Sequence, residues 1–218
     1  MGNVKIQKNS KIVMMGDSIT DVGRARPIGE GNGEALGRGY VALVDAFLQS
    51  RYPAERIRVV NMGNSGDTVR HLKARWKPDV LDLNPDWVSI MIGINDVWRQ
   101  FDRPLLSECH VLPDEYEKTL ATLVAQTQPK VRGLVLMTPY YIEMNRLDPM
   151  RARMDEYGAI VKKIARKYGT LFADTQAAFE EVLSVCYPAT LAWDRVHPNL
   201  AGHMVLAGAF MKAIGCEG

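Results

Sequence analysis

Cysteine is scarce in this chain: Cys109, Cys186 and Cys216 are the three in 218 residues, an odd number with no close pairing. That excludes a disulfide scaffold, fits a reducing compartment, and makes each thiol a buried or surface group in preference to a ligand. Charge of one sign is equally lacking. The formal net charge is +2, with acidic and basic residues alternating through the helical patterns, so there is no polybasic footprint for nucleic acid or an anionic membrane. Long apolar runs are missing too. The first eleven residues are polar without the apolar core of a signal peptide, and the longest apolar stretch, Ala201 to Ile214, is interrupted by His203 and Lys212. A cytoplasmic protein with no membrane partner is expected. No internal repeat, low-complexity tract or Pro/Gly/Ser linker divides the sequence, and its 47% hydrophobic content can bury a sizeable core, so residues 1–218 read as a single domain.

Short β-branched runs alternate with longer helical patterns, which predicts an α/β fold with a parallel sheet between helices. Strands are expected at Lys11 to Met15, Ile57 to Asn61, Trp87 to Ile92, Gly133 to Met137 and Leu171 to Ala173. Helices are expected near Tyr40 to Gln49, Thr68 to Lys77, Asp114 to Gln128, Pro149 to Tyr168, Thr175 to Val185 and Asn199 to Ile214. The glycine-rich stretch Gly23 to Gly39 is the one long irregular segment. It lacks the lysine and spacing of a phosphate loop, and Glu30 and Glu34 would repel phosphate, so a mobile loop beside the site or an oligomer contact is expected there.

Chemistry concentrates at four places. Gly16-Asp17-Ser18 follows the first strand, and Gly16 ends that strand with a residue tolerant of unusual backbone angles. Ser18 then sits where open α/β sheets place their ligands. A serine hydroxyl becomes a nucleophile when a neighbouring imidazole takes its proton. Of the four histidines, His71, His110, His197 and His203, only His197 has an acid, Asp194, three residues before it to fix its tautomer. The second strand runs into Asn61-Met-Gly-Asn-Ser-Gly-Asp67 and the third into Gly93-Ile-Asn-Asp96. There the Gly66 amide and the Asn95 side chain, with the Ser18 amide, are the natural donors to an oxyanion.

These four blocks, together with Asp21-Val-Gly-Arg-Ala-Arg-Pro27, Pro85 to Gln100 and Ala192-Trp-Asp-Arg-Val-His-Pro198, resemble the SGNH or GDSL hydrolases, and within them bacterial intracellular acetyl xylan esterases. The resemblance extends over nearly the whole chain. It implies a three-layer α/β/α sandwich with a five-stranded parallel sheet of flavodoxin-like order. It also implies Ser18 as nucleophile, His197 as base, Asp194 as orienter, and Ser18, Gly66 and Asn95 as the oxyanion hole, with no metal and no organic cofactor. The implied partners are acetylated oligosaccharides or another small ester, and a homo-oligomer, since that subgroup forms ring-shaped octamers.

Trp193, Trp98 and Ile94 are candidate substrate-binding residues; the tryptophans, with Tyr140 and Tyr141, suit a platform for sugar rings and equally suit core or subunit packing. Asp17 is expected to hold the Ser18 turn through backbone amides, Asp96 to brace the Asn95 loop, Asp67 to cap the following helix, and His203 to be a satisfied buried histidine. A classical α/β-hydrolase is a poor match because there is no Gly-x-Ser-x-Gly elbow. The same triad would also serve a general short-chain carboxylesterase, arylesterase or thioesterase. A metallohydrolase using Asp194 and His197 as ligands and a noncatalytic sugar-binding protein are the more distant readings.

Overall fold

The computed structural model describes residues 4–216, so residues 1–3 and 217–218 of the expected domain lie outside the described residues. Five strands form one sheet: β1 (Lys11–Gly16), β2 (Arg58–Asn61), β3 (Trp87–Met91), β4 (Gly133–Met137) and β5 (Leu171–Ala173). All neighbours pair parallel, in the order β2-β1-β3-β4-β5. The central strands are apolar on both faces because helices cover both. Ile12, Val13, Met14 and Met15 of β1 are wholly buried, and every residue of β3, Ser89 included, is buried.

Among the described residues eight α-helices connect and cover the strands: α1 (Ser18–Asp21), α2 (Tyr40–Arg51), α3 (Val69–Asp79), α4 (Ile94–Asp102), α5 (Pro113–Thr127), α6 (Pro149–Tyr168), α7 (Thr175–Leu183) and α8 (Leu200–Ala213). On one side α3 packs on α5 and α5 on α6; on the other, α2 and α7 pack on α8. The longest, α6, has the span expected from sequence because both ends are chemically marked. Asp148 accepts the amides of Met150 and Arg151, Pro149 takes the first helical position, and Gly169 closes the helix with φ 63°. Among the described residues, no helix is long and apolar enough to cross a membrane.

Sequence reading missed two helices. The single turn α1 is too short to leave a periodic signal. The other, α4, was hidden by its polar first turn, Asn95-Asp96, although Ile94, Val97, Trp98 and Phe101 recur at helical spacing. The segment Gly23 to Gly39 is also more structured than expected. Gly29 and Asn61 exchange backbone hydrogen bonds, Ala25 N–H donates to Ala35, and the Asn61 side chain donates to the Leu36 carbonyl.

The order of strands places the site. From β1 the chain crosses to β2 on one side of the sheet and returns to β3 on the other, leaving a crevice at the carboxyl ends of β1 and β3. Ser18 follows β1, Gly63 to Asp67 follow β2, and Asn95 follows β3. Gly16 is required here for a different reason from the one its sequence suggests: its φ is not left-handed. A Cβ would stand 2.0 Å from Thr20 Oγ1 and 2.7 Å from the Met91 carbonyl oxygen, so glycine lets α1 fold back onto the end of β1.

Candidate active site

Ser18 opens α1, whose cap is Asp17: its carboxylate accepts the Ile19 amide at 3.0 Å. This is the turn-holding role expected for Asp17. The Ser18 hydroxyl lies 2.9 Å from His197 Nε2, and His197 Nδ1 lies 2.6 Å from Asp194 Oδ2. With a carboxylate against Nδ1, the imidazole proton belongs on that nitrogen, which leaves Nε2 as an acceptor facing Ser18. The other oxygen of Asp194 accepts the backbone amides of Val196 at 2.9 Å and His197 at 2.7 Å. One carboxylate thus fixes both the turn and the ring. Burial pushes the Asp194 pKa up, but the imidazole hydrogen bond and the two amides outweigh it and hold the group below the usual carboxylate value.

The turn that carries His197 is held from the segment after β4. Ile142 N–H donates to the Arg195 carbonyl at 3.0 Å, the Tyr140 hydroxyl to the Val196 carbonyl at 3.0 Å, and Arg195 pairs with Glu143 at 2.6 Å. Arg195 has φ 63°, an uncommon conformation for a residue with a Cβ, and these contacts keep it there. Neither Glu143 nor Arg195 stands out in the sequence, because their partnership spans more than fifty positions.

Gly66 occupies a turn that needs glycine. Asn64 C=O accepts from Asp67 N–H at 3.2 Å, Gly66 has φ 84°, and Ser65 does not have positive φ, which together define a type II turn with glycine at its third position. Among the described residues the backbone amides of Gly66 and Ser18 have no acceptor. Asn95 donates one amide hydrogen to the Asp67 carbonyl at 2.9 Å, leaving the other. The turn is tied to the end of β1 by Asn64 N–H to the Gly16 carbonyl at 3.0 Å. Three donors are therefore carried on neighbouring, mutually bonded pieces of backbone at the mouth of the crevice.

Around this core, Trp98 lies beside the imidazole, ring centroids 5.8 Å apart, and Trp193 is 90% exposed. Ile94 is 2% exposed, so its side chain belongs to the core and presents no surface to a ligand. Tyr140 is likewise buried, against Phe179, and does not form a platform. His203 accepts the Tyr40 amide at 3.2 Å, and burial, then the nearby His197, lower its pKa to about 4; it is the satisfied neutral histidine expected. His71, which showed no partner in sequence, completes a capping box with Thr68 at the start of α3.

The expected capping of α3 by Asp67 needs correction. Asp67 instead accepts Asn64 Nδ2 at 2.8 Å and pairs with Arg75 at 2.6 Å, while Asp96 reaches across from α4 to accept the Val69 amide at 3.0 Å. Asp96 thus braces α3 rather than a loop around Asn95.

Asp17 and Asp96 are fully buried, and desolvation raises both pKa values to about 7, with the Asp67 charge adding to the first and the Asp17 charge to the second. Both carboxyls hold protons more tightly in the folded chain, so the stability these two groups contribute is fully present below about pH 4 and is lost as pH rises through about 7. Asp96→Asn keeps an acceptor for the Val69 amide without a charge. The melting temperature of the variant minus that of the wild type should therefore rise between about pH 4 and pH 7, and a difference that stays constant over that interval would contradict this account of Asp96.

The sequence model of the GDSL-like Lipase/Acylhydrolase family matches residues 14–205. An acetylxylan esterase of Geobacillus stearothermophilus is 62% identical over 214 residues, 98% of each chain. The crystal structure of Axe2, an acetylxylan esterase from the same organism, superposes with a TM-score of 0.97 at 62% identity, covering 98% of this chain and 97% of that one. LAE5, an alpha/beta hydrolase enzyme from the metagenome of Lake Arreo, Spain, gives a TM-score of 0.96 at 57% identity, covering 98% and 99%.

Proposed function

Because this chain belongs to the GDSL-like lipase/acylhydrolase family, we propose that it is a serine esterase that removes O-acetyl groups from xylo-oligosaccharides or related acetylated sugars. The observation that carries the reading is the unbroken line from Ser18 Oγ through His197 to Asp194, at 2.9 and 2.6 Å. Ser18 Oγ attacks the acetyl carbonyl carbon as its proton passes to His197 Nε2. The charge that develops on the carbonyl oxygen is met by the Ser18 and Gly66 amides and the Asn95 side chain. On collapse, the C–O bond to the sugar breaks and the sugar oxygen takes the proton from His197. Water then gives a proton to the same nitrogen and attacks the acetyl-serine carbon; the bond from that carbon to Ser18 Oγ breaks, Ser18 Oγ takes the proton back from His197, and acetic acid leaves. Asp194 stays ionised throughout, keeping the proton on Nδ1 and stabilising the imidazolium.

Neither a metal nor an organic cofactor enters this sequence, so exhaustive chelation should leave the rate unchanged. Trp193 and Trp98 flank the catalytic turn and suit the faces of a sugar ring. The chain is taken as one SGNH hydrolase domain, cytoplasmic and assembled as a homo-oligomer; the molecular mass in solution, measured by light scattering, tests the assembly.

The deciding experiment is acetate release from acetylated xylo-oligosaccharides, run beside 4-nitrophenyl acetate, butyrate and octanoate. Turnover of the acetylated sugar with a steep fall along the acyl series is expected. Cleavage of the aryl esters alone would move the natural substrate to another short-chain ester, and activity lost on chelation would favour the metal-dependent reading.

A further inference from the structure

The nucleophile and the Gly66 turn come from different strands, yet oxyanion stabilisation requires them to be in register to a fraction of an ångström. The side chain that spans them is Asp21, on the last residue of α1 and three positions beyond Ser18. It is 4% exposed. Its Oδ2 accepts the Ser65 backbone amide at 3.1 Å, the Ser65 hydroxyl at 3.0 Å and Arg26 at 2.6 Å, and its Oδ1 accepts the Arg24 amide at 3.3 Å. Ser65 is the second residue of the type II turn, so the peptide joining it to Gly66 carries the N–H that has no acceptor among the described residues.

The backbones are also in direct contact there. A Cβ on Gly63 would come within 2.3 Å of the Asp21 amide nitrogen, and Arg24 Nε donates to the Gly63 carbonyl at 2.6 Å. Burial alone would raise the Asp21 pKa, but Arg26 and Ser65 lower it below the ordinary carboxylate value, so the acceptor is ionised whenever the enzyme works.

We propose that Asp21 is a positioning residue for the oxyanion hole: by holding both donors of Ser65 from the helix that carries Ser18, it aims the Gly66 amide at the oxygen of the tetrahedral intermediate. This rests on the esterase reading above. The segment Gly23 to Gly39 takes part, because Arg24 and Arg26 lie in it and complete the grip on Asp21 and Gly63. Sequence alone gives no hint of it, since the contact joins positions 21 and 65.

The test compares an acetyl ester with its thionoester, in which sulfur replaces the carbonyl oxygen and accepts hydrogen bonds poorly, so that its turnover depends little on the oxyanion donors. Asp21→Asn should lower kcat for the oxygen ester at least tenfold with KM within twofold, and change thionoester turnover by no more than about twofold. Ser65→Ala, at an exposed position, removes one of the two donors without burying anything. It should reproduce the same selective loss at smaller size, and add little on top of Asp21→Asn. A parallel fall in both substrates, or two losses that multiply, would overturn the proposal and leave Asp21 a structural residue. Wild-type protein inert toward both esters would instead bring down the esterase reading itself.

Discussion

Ser18→Ala should lower kcat toward 4-nitrophenyl acetate by on the order of 10⁵ to 10⁶ while the fold is kept. The size follows from what remains. His197, Asp194 and the donors would still be in place, so water activated by the imidazole could attack at a residual rate, but no acyl-enzyme could form. Ser65, the other serine in the motif blocks, donates its hydroxyl to Asp21 at 3.0 Å. Stability should hardly change, because Ser18 is half-buried and the cap of α1 is supplied by Asp17. The measurement is paired: steady-state turnover, and covalent labelling by a fluorophosphonate that reports one reactive serine per chain. Labelling should vanish with turnover in Ser18→Ala. Undiminished turnover, or a label on another serine, would remove Ser18 from the mechanism.

How far the sequence carries this reading depends on the range of the interactions concerned. The five strands fall within about a residue of their expected limits, because buried parallel strands are short apolar runs that need no partner to be seen. Caps make α6 equally legible. What the sequence hides is which carboxylate serves which amide. Asp67 lies one residue before Thr68, the cap of α3; Arg75 and Asn64 take its oxygens, and Asp96, twenty-seven residues beyond Val69, takes the Val69 amide. Gly16 shows a second limit. Its identity is legible, but the cause is the space needed by Thr20 and Met91 rather than backbone freedom.

The same distinction separates parts of the site. Asp194 and His197 are three apart and could be paired on paper, while the supports behind them cannot: Glu143 to Arg195, Tyr140 to Val196, Asp21 to Ser65. Exposure is also invisible in a string of letters. Trp193, Trp98 and Ile94 look alike as apolar neighbours of the motifs, and only folding sorts them into an open ring, a ring against the imidazole, and a core side chain.

Asp194→Asn should reduce kcat by about 10⁴ at neutral pH, nearly as much as losing the nucleophile's base, with little change in KM. The two oxygens of Asp194 do separate work, which makes this substitution more informative than alanine. An asparagine can keep its oxygen on the Val196 and His197 amides, so the turn that presents His197 survives. Its nitrogen then faces His197 Nδ1, where Asp194 Oδ2 stood at 2.6 Å. A donor there opposes a protonated Nδ1 and favours the tautomer with its proton on Nε2, the atom that must accept from Ser18. In the variant the ring carries its proton on the atom that must accept from Ser18, so proton transfer from the nucleophile should be slow. Asp194→Ala would lose the backbone bonds as well and should lower the melting temperature in addition to the rate. Burst kinetics with 4-nitrophenyl acetate would locate the loss in acylation; an Asp194→Asn enzyme with a normal burst would show that the imidazole is oriented by something other than this carboxylate.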